Sequence, residues 1–355
     1  MEHYSSTRIG TYFGELGKER FFRVPDAVTE LSEIEELVLK YNNLIELPAS
    51  VSQLKNLTLL KLDCNNLTKL PAEIGDLGEL RGLSVCNNQL VGLPTSIHRL
   101  AKLKWLNLDA NKLTELPAEI GDLRELSEMW VSNNQLVGLP TSIHRLTKLE
   151  RLDVRGNKLT KLPAGIGDLR ELSEMWVSNN QLVGLPTSIK RLTKLKWLYL
   201  DANKLTELPA EVGDVKTLRD LRVSKNQLVG LPSSIRRLTK LEGLHLSGNK
   251  LTELSAEIGD LRDLRVLSVS YNQLVGLPTS IHRLTKLEEL YLDGNKLKEL
   301  PSEIGDLSDL RELKVLSVSH NPLTVDSIRW ALKLRKSGVL VGGFEGEHSS
   351  SLVYN

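Results

Sequence analysis

Leu103-Lys-Trp-Leu106-Asn-Leu108-Asp-Ala-Asn111-Lys-Leu113 decides the fold, because the same spacing of leucines and asparagine returns along the chain every 23 residues. The asparagine marks twelve copies in register: Asn42, Asn65, Asn88, Asn111, Asn134, Asn157, Asn180, Asn203, Asn226, Asn249, Asn272 and Asn295. Asn321 follows the last of these after 26 residues and marks a thirteenth, longer copy. Repetition at this period predicts a solenoid in which each copy completes its core by packing on its neighbours.

Each copy divides into a strand-like half and a helical half. Leu106 and Leu108 alternate with outward-facing residues, which is typical of a short β-strand with one buried side. From Leu113 to Leu126 the apolar residues are three apart, which predicts a 3-10 or short helical segment. Stacked copies would form a parallel sheet on a concave side and helical segments on a convex side. The asparagine amide is expected to satisfy backbone groups where the chain leaves the strand.

The composition excludes several classes of protein. Leu accounts for 73 of 355 residues, and 46 Lys and Arg against 45 Asp and Glu give a net charge of +1. A nucleic-acid-binding protein would normally be strongly basic, so no nucleic-acid partner is expected. The chain contains no run of about 18 apolar residues, and its first residues lack the apolar core of a signal peptide, so no membrane span or secretion is predicted. With only two cysteines, Cys64 and Cys86, the chain is expected in the reducing cytoplasm.

The repeats set the predicted domain boundaries. The array runs over residues 24–323, after an N-terminal tail or cap at residues 1–23. Residues 324–338 have helical spacing and are expected to form a helix that covers the last repeat, with Trp330 in its core. Residues 339–355 are rich in Gly, Ser and Glu and are expected to form a disordered tail.

A second period of 46 residues lies on the first, because copies containing Asn-Gln-Leu-Val-Gly alternate with copies containing Asn-Lys-Leu-Thr. Eleven residues after each asparagine, acidic and basic residues alternate, beginning with Asp76 and Arg99. A second column alternates three residues later, beginning with Glu79 and Lys102. Stacking places opposite charges side by side, which favours control of register and solubility. A striped docking face for a partner is the alternative.

The full 23-residue pattern, L-P-x-x-I-x-x-L-x-x-L-x-x-L-x-L-x-x-N-x-L, resembles that of the intracellular Ras-group leucine-rich repeat proteins, which include Ras scaffolds, the Ras suppressor and proteins of the Scribble and Erbin type. The resemblance covers about residues 24–323. It implies an α/β solenoid, a leucine-rich repeat horseshoe of thirteen repeats with a concave parallel sheet and convex 3-10 or short helical segments. It also implies a cytoplasmic adaptor whose partner is a small GTPase or a phosphatase.

The sequence carries no recognisable catalytic motif, since it has no G-x-G-x-x-G, Walker A, G-x-S-x-G or C-x-x-C sequence. His98, His144 and His282 recur at one position of the repeat, but copies two repeats apart lie about 10 Å or more from each other. Zinc needs its ligands within about 2.1 Å of one point, so these histidines cannot share a metal. We therefore expect no enzyme activity, no cofactor and no metal site.

The near-identical copies differ mainly at the outward-facing strand positions. Residues 121–143 and 167–189 are the same 23 letters, so folding alone does not require the variation seen at those positions. Large aromatic and charged residues collect there, centred on copies four to nine, and such residues are enriched in binding hot spots. The predicted protein-binding residues on this concave face are Trp105, Trp130, Arg151, Asp153, Arg155, Trp176, Trp197, Tyr199, Arg222, His245 and Tyr291. The alternative is that the aromatic side chains only pack sideways on the sheet.

A non-enzymatic scaffold or adaptor in intracellular signalling, gripping a folded protein on the concave face, is the leading hypothesis. An inner arc of about 13 strands, each about 4.8 Å from the next, is long enough for a whole domain. Two other hypotheses stay open: a recognition receptor of the innate-immune type, which exchangeable repeats would suit, and the targeting part of a larger enzyme. A plain structural array without a ligand is the remaining alternative.

Overall fold

The computed structural model describes residues 22–24, 26–300, 312–336 and 338–342. The chain divides into two compact units, Met1–Gln181 and Leu182–Asn355, hereafter the first unit and the second unit. The tail predicted at residues 1–23 lies outside the described residues except for Phe22 and Arg23. No helix among the described residues is long and apolar enough to cross a bilayer.

The first unit contains a sheet of short parallel strands, one for each repeat. Each strand pairs with the next at a register of 23 residues, so that Leu106 lies opposite Leu83 on one side and Met129 on the other. The central residue of each strand is apolar and buried, so the side of the sheet that carries these residues faces the core. The strands described in this unit are β1 Glu36–Val38, β2 Leu59–Lys61, β3 Gly82–Ser84, β4 Trp105–Asn107, β5 Glu128–Trp130, β6 Arg151–Asp153 and β7 Glu174–Trp176.

The 3-10 segments arise because proline and the spaced apolar residues close successive turns. Between β4 and β5, the Ile120 N–H donates to the Pro117 carbonyl at 3.0 Å and the Leu123 N–H donates to the Ile120 carbonyl at 3.2 Å. Pro117 holds φ at −64°, which fixes the extended entry to the segment. The 3-10 segments described in the first unit are Ala49–Gln53, Ala72–Asp76, Thr95–Arg99, Ala118–Asp122, Thr141–Arg145 and Ala164–Asp168, and one turn of α-helix, α1, covers Asp26–Thr29.

The repeated asparagines form a hydrogen-bonded ladder beneath the strand ends. Asn111 Nδ2 donates to the carbonyl of Val85 in the preceding repeat at 2.9 Å and to that of Leu108 in its own repeat at 3.0 Å. Its Oδ1 accepts the N–H of Leu90, also in the preceding repeat, at 2.9 Å. Asn111 therefore satisfies buried backbone groups and joins two repeats, which confirms the predicted structural role of the asparagine.

The second unit has the same architecture with a different C-terminal end. Its described strands are β8 Trp197–Tyr199, β9 Asp220–Arg222, β10 Gly243–His245, β11 Val266–Ser268, β12 Glu289–Tyr291, β13 Val315–Ser317 and β14 Leu340–Gly342. Its described 3-10 segments are Thr187–Arg191, Ala210–Asp214, Ser233–Arg237, Ala256–Asp260 and Thr279–Arg283. Helix α2, Val325–Lys336, lies within the predicted helical segment at residues 324–338. The predicted fold class, a leucine-rich repeat solenoid with parallel strands and 3-10 segments, is confirmed in each unit.

Two predictions for the C-terminal end are wrong. The tail expected to be disordered from residue 339 instead begins with strand β14, because the Leu340 N–H donates to the Lys314 carbonyl at 2.8 Å and Val341 is buried. The rest of that tail, from residue 343, lies outside the described residues. Trp330, predicted to lie in the core, is only half-buried and is not among the buried residues of α2, which are Ser327, Ala331 and Leu334.

Candidate protein-binding face

The predicted binding residues lie on the strands or just after them, on the side of the sheet opposite the leucine core, which we term the sheet face of each unit. The first unit carries Trp105, Trp130, Arg151, Asp153, Arg155 and Trp176. The second unit carries Trp197, Tyr199, Arg222, His245 and Tyr291. The aromatic side chains are half-buried and not fully exposed, and Asp153 is buried, with 2% of its surface accessible. The outward-facing strand positions predict exposed side chains, and for Asp153 that prediction is wrong.

Trp105 and Trp130 form the aromatic part of the first unit's sheet face. Their ring centroids are 6.5 Å apart with the planes at 69°, an edge-to-face arrangement. Trp105 also packs sideways on β3, where a Cβ atom added to Gly82 would overlap the indole ring. Sideways packing therefore contributes to the orientation of Trp105, as the alternative interpretation of these aromatic residues supposed.

A cleft of about 450 Å³ opens beside the two rings. We term it the Trp105–Trp130 cleft, and its lining residues are Lys40, Lys61, Ser84, Trp105, Asn107, Asp109, Glu128 and Trp130. The Lys61 ammonium lies 5.9 Å from the centroid of the Trp105 ring, within the range of a cation–π contact. The polar lining of the cleft was not predicted from the sequence. The signal that could have found it is that Lys61, Asn107 and Trp130 all occupy the third position of their strands.

Asp63 neutralises one of the two lysines of the cleft. Burial alone would raise the pKa of its carboxyl, but hydrogen bonds from the side chains of Lys40, Ser84 and Cys86 outweigh burial and lower that pKa. Lys40 Nζ lies 2.7 Å from Asp63 Oδ2, and the Cys86 N–H donates to Oδ1 at 3.1 Å. Within the described part of the chain Lys61 has no ion pair, and its ammonium instead lies near the Trp105 ring.

Arg151 and Arg155 hold the charged half of the first unit's sheet face in place. Arg151 bridges three strands, donating to Glu128 on β5 and Glu174 on β7, both at 3.0 Å. Arg155 donates to both carboxylate oxygens of Asp153, at 2.9 Å from Nε and 2.6 Å from Nη2, and lies 5.5 Å from the Trp176 ring centroid. These ion pairs hold both arginine side chains against their neighbours in the free chain.

The second unit's sheet face is centred on Arg222. Its guanidinium lies 4.4 Å from the centroid of the Tyr199 ring and donates to Asp220, with Nη2 3.1 Å from Oδ2. His245 Nε2 lies 3.8 Å from Asp220 Oδ1. Burial lowers the pKa of His245, and Asp220 only partly opposes it, so the ring is neutral near pH 7. Trp197 makes a cation–π contact with Lys196, whose Nζ lies 5.7 Å from the centroid of the Trp197 ring.

Tyr291 is not brought together with the other predicted residues. It stands on β12, and register places β11 with Ser268 between it and His245 on β10. Two strand spacings amount to about 10 Å. Its hydroxyl donates to Glu289 Oε2 at 2.8 Å, and this hydrogen bond raises the pKa of Tyr291. Tyr291 therefore lies at the periphery of the predicted face.

A repeated set of exposed apolar side chains lies elsewhere, at the valine of each Asn-Gln-Leu-Val-Gly sequence. They are 60% and 63% exposed at Val91 and Val137 in the first unit, and 62%, 65% and 66% exposed at Val183, Val229 and Val275 in the second. The sequence signal was present, because threonine occupies the same position in the alternating copies.

The described residues contain no group of three or more His, Cys, Asp or Glu side chains that could hold a metal ion. His98 and His144 each use Nδ1 within their own 3-10 turns, 2.7 Å from the carbonyls of Thr95 and Thr141. These histidines therefore have a local structural contact in place of a shared ligand.

Comparison with known proteins identifies the family. A model described as a leucine-rich repeat region matches residues 93–185 and 243–354, and a second leucine-rich repeat model matches residues 55–113 and 193–251. A search of curated proteins returns no significant match.

Among solved structures, a leucine-rich repeat protein of Leptospira interrogans is similar at 35% identity and a TM-score of 0.65, over 90% of this chain and 93% of that one. An internalin of Listeria monocytogenes is similar at 24% identity and a TM-score of 0.76, over 90% and 89% of the two chains, which supports the fold alone. A plant peptide hormone receptor in complex with RGF2 is similar at 27% identity and a TM-score of 0.65, over 85% of this chain and 57% of that receptor. On the repeat models and the Leptospira relative together, the chain belongs to the leucine-rich repeat family.

Proposed function

We propose that the chain is a non-enzymatic scaffold that binds a folded protein partner through its sheet face, in intracellular signalling of the Ras-group type. The observation that carries the proposal is the preorganised set of aromatic and charged side chains on otherwise uniform repeats. Arg151, held by Glu128 and Glu174, and Trp130, beside an open cleft, exemplify it. Leucine-rich repeats are a framework for protein–protein contacts, and aromatic residues and arginine dominate such contacts energetically.

The proposed cytoplasmic location rests on the two cysteines and on the resemblance to Ras-group repeats. Cys64 and Cys86 are both free thiols, as expected in a reducing compartment. A small GTPase or a phosphatase is the partner class that the Ras-group resemblance implies.

A recognition receptor is the second candidate function. The plant peptide hormone receptor with its bound RGF2 supports it, since that protein carries the same kind of repeat at 27% identity. Under this alternative the same sheet face would take an extracellular or foreign ligand. The location of the chain in cells therefore separates the two candidates, and fractionation of cells that express the tagged chain measures it.

The binding face is tested by a pull-down from cytosol with the intact chain and three variants. Trp130→Ala/Arg151→Ala alters the first unit's sheet face, and Trp197→Ala/Arg222→Ala alters that of the second. The matched control, Val137→Thr/Val183→Thr, changes the exposed valines to the residue that alternating copies carry. Circular dichroism and urea unfolding confirm that each variant is folded. We expect the intact chain and the valine control to recover the same partner protein. At least one of the two sheet-face variants should fail to recover it. Recovery unchanged by both sheet-face variants would reject the proposal.

A further inference from the structure

Two sister repeats of the chain carry strands that differ only at the third residue, Asn107 or Tyr199, and the same acidic residue after the strand. Trp105-Leu-Asn-Leu-Asp109-Ala-Asn in the first unit and Trp197-Leu-Tyr-Leu-Asp201-Ala-Asn in the second are 92 residues apart. Each aspartate accepts a backbone N–H of the next repeat through Oδ1, from Ser132 at 2.6 Å and from Ser224 at 2.7 Å. Burial raises the pKa of both carboxyls, so each carboxylate lies where its charge is poorly hydrated.

In the second unit the chain supplies cations of its own to this position. Arg222, on the strand after Tyr199, lies 4.4 Å over the Tyr199 ring. Its positive charge favours the ionised form of Asp201, and His245 acts in the same direction when it is protonated. The site around Asp201 is thus an aromatic ring, a carboxylate and a guanidinium assembled from one chain.

In the first unit the equivalent cations are replaced. Trp130 stands in the place of Arg222, and Asp153 stands in the place of His245. Asp153 raises the pKa of Asp109, and Arg155 lowers it. Because Asp153 and Arg155 form an ion pair at 2.6 Å, their opposite effects on Asp109 largely cancel each other. In place of a guanidinium, the Trp105–Trp130 cleft opens beside Asp109.

We propose that the Trp105–Trp130 cleft binds an arginine side chain of the protein partner, which supplies to Asp109 the positive charge that Arg222 supplies to Asp201 in the second unit. The guanidinium would lie against the Trp130 ring and pair with the Asp109 carboxylate, both of which suit its flat, delocalised charge. This inference rests on the proposed protein-binding function and names the chemistry of one contact.

The two lysines of the cleft lie on the side away from Asp109. Lys40 belongs to β1's repeat and is neutralised by Asp63, and Lys61 ends β2, two strands from Trp105's strand. Asp109 follows β4 and Glu128 begins β5. The cleft therefore has an acidic end for the guanidinium and a basic end at Lys61, where an acidic neighbour of the partner's arginine would fit.

The test uses the full chain with ¹⁵N-labelled tryptophan and follows the indole N–H signals by NMR. The probes are the peptides acetyl-Gly-Arg-Gly-amide and acetyl-Gly-citrulline-Gly-amide, since citrulline has the shape of arginine without its charge. We expect a saturable shift of the Trp105 and Trp130 signals with the arginine peptide and about tenfold weaker binding of the citrulline peptide.

Asp109→Asn removes the carboxylate charge but keeps an oxygen that accepts the Ser132 N–H. It is expected to weaken binding of the arginine peptide about tenfold. Trp130→Arg installs the arginine of the sister repeat and is expected to abolish the shift at Trp105. The matched control Asp201→Asn, in the site that Arg222 fills, is expected to bind like the unaltered chain. Equal binding of the two peptides, or undiminished binding by Asp109→Asn, would overturn the arginine site. Because the pull-down reads partner capture by either sheet face, the scaffold proposal would survive that result.

Discussion

Gly121 packs against Ser142 of the following repeat so closely that a Cβ atom on residue 121 would overlap the Ser142 carbonyl oxygen. The Ser142 hydroxyl donates to the Ala118 carbonyl at 2.6 Å, and Arg145 lies 3.0 Å from Asp122 across the same two repeats. The same glycine–serine packing joins Gly75 to Ser96 in the first unit, and Gly213 to Ser234 and Gly259 to Ser280 in the second. Each contact runs from an acidic copy to the basic copy after it, so the 46-residue sequence period corresponds to a packed pair of repeats.

Gly121→Ala is expected to destabilise the chain by about 1–3 kcal/mol, because the methyl group meets backbone that cannot rotate away. The matched change, Gly138→Ala, adds its methyl group to open space and should alter stability by less than about 1 kcal/mol. Urea unfolding midpoints of the two variants measure the difference. Equal midpoints would show that the close approach of Gly121 to Ser142 does not matter for stability.

The alternating acidic and basic side chains that follow each asparagine, such as Asp122 and Arg145, should stabilise each other within a pair of repeats and not between pairs. Asp122 and Arg145 form an ion pair at 3.0 Å, whereas among the described residues Arg99 pairs with Asp76 and not with Asp122. A double-mutant cycle on Asp122 and Arg145 should give about 0.2–1 kcal/mol of coupling, the usual range for exposed pairs. The cycle on Arg99 and Asp122 should give less than about 0.3 kcal/mol. Comparable coupling in both cycles would contradict the pairing of repeats.

The sequence predicted the repeat architecture because its signals are periodic. A leucine that returns every 23 residues can be assigned to the core from the sequence, and an asparagine that does so can be assigned to the hydrogen-bonded asparagine ladder. The contacts of Asn111 confirm the assignment of the asparagine. The pairing of repeats was only partly visible, since the alternation of Asp76 and Arg99 shows complementary charge. The close approach of Gly75 to Ser96 depends on backbone positions that charge alternation does not report.

The candidate site was less predictable because neighbouring strands decide what an outward side chain does. Trp105 had the sequence signature of an exposed ring, yet Gly82 on β3 lets it lie down on the sheet. Asp153 became buried under the guanidinium of Arg155, two residues further along the chain. The strand β14 was missed because Leu340–Gly342, unlike the other three-residue strands, lies outside the 23-residue repeat that predicted them.

Ser255→Pro is expected to stabilise the second unit by about 0.4–1 kcal/mol, since proline reduces the entropy of the unfolded chain. Ser255 stands where other repeats carry proline, and its φ of −66° and ψ of 153° are already those of Pro209 and Pro232 within a few degrees. Its buried hydroxyl has no hydrogen-bond partner among the described residues, so nothing is lost with it. A rise in the thermal unfolding temperature checks the expectation, and a fall would mean that the Ser255 N–H or hydroxyl is used.

Cys86 is expected to react slowly with thiol reagents at pH 8. Burial, followed by the effect of the Asp63 carboxylate, raises the pKa of the Cys86 thiol to about 12, so almost none of the reactive thiolate is present. The two single variants separate the thiols: Cys64→Ser leaves Cys86, and Cys86→Ser leaves Cys64. Ellman's reagent should react more slowly with the Cys64→Ser chain. Equal rates would contradict the effect of Asp63, because both cysteines are similarly half-buried.

Acidification should destabilise the second unit through His245. Burial lowers the pKa of His245 in the folded chain below its ordinary value of about 6.5. Between that lowered value and about 6.5 the unfolded chain binds more protons than the folded chain, so stability falls as pH decreases through this window. His245→Gln removes the titrating ring and should flatten this part of the pH profile of urea unfolding. NMR titration of the His245 ring should give a midpoint below that in the urea-unfolded chain, and Asp220→Asn should lower the folded midpoint further, because Asp220 is the acidic group that opposes the shift most. A His245 midpoint equal to or above the unfolded value would show that Asp220 and its neighbours outweigh burial.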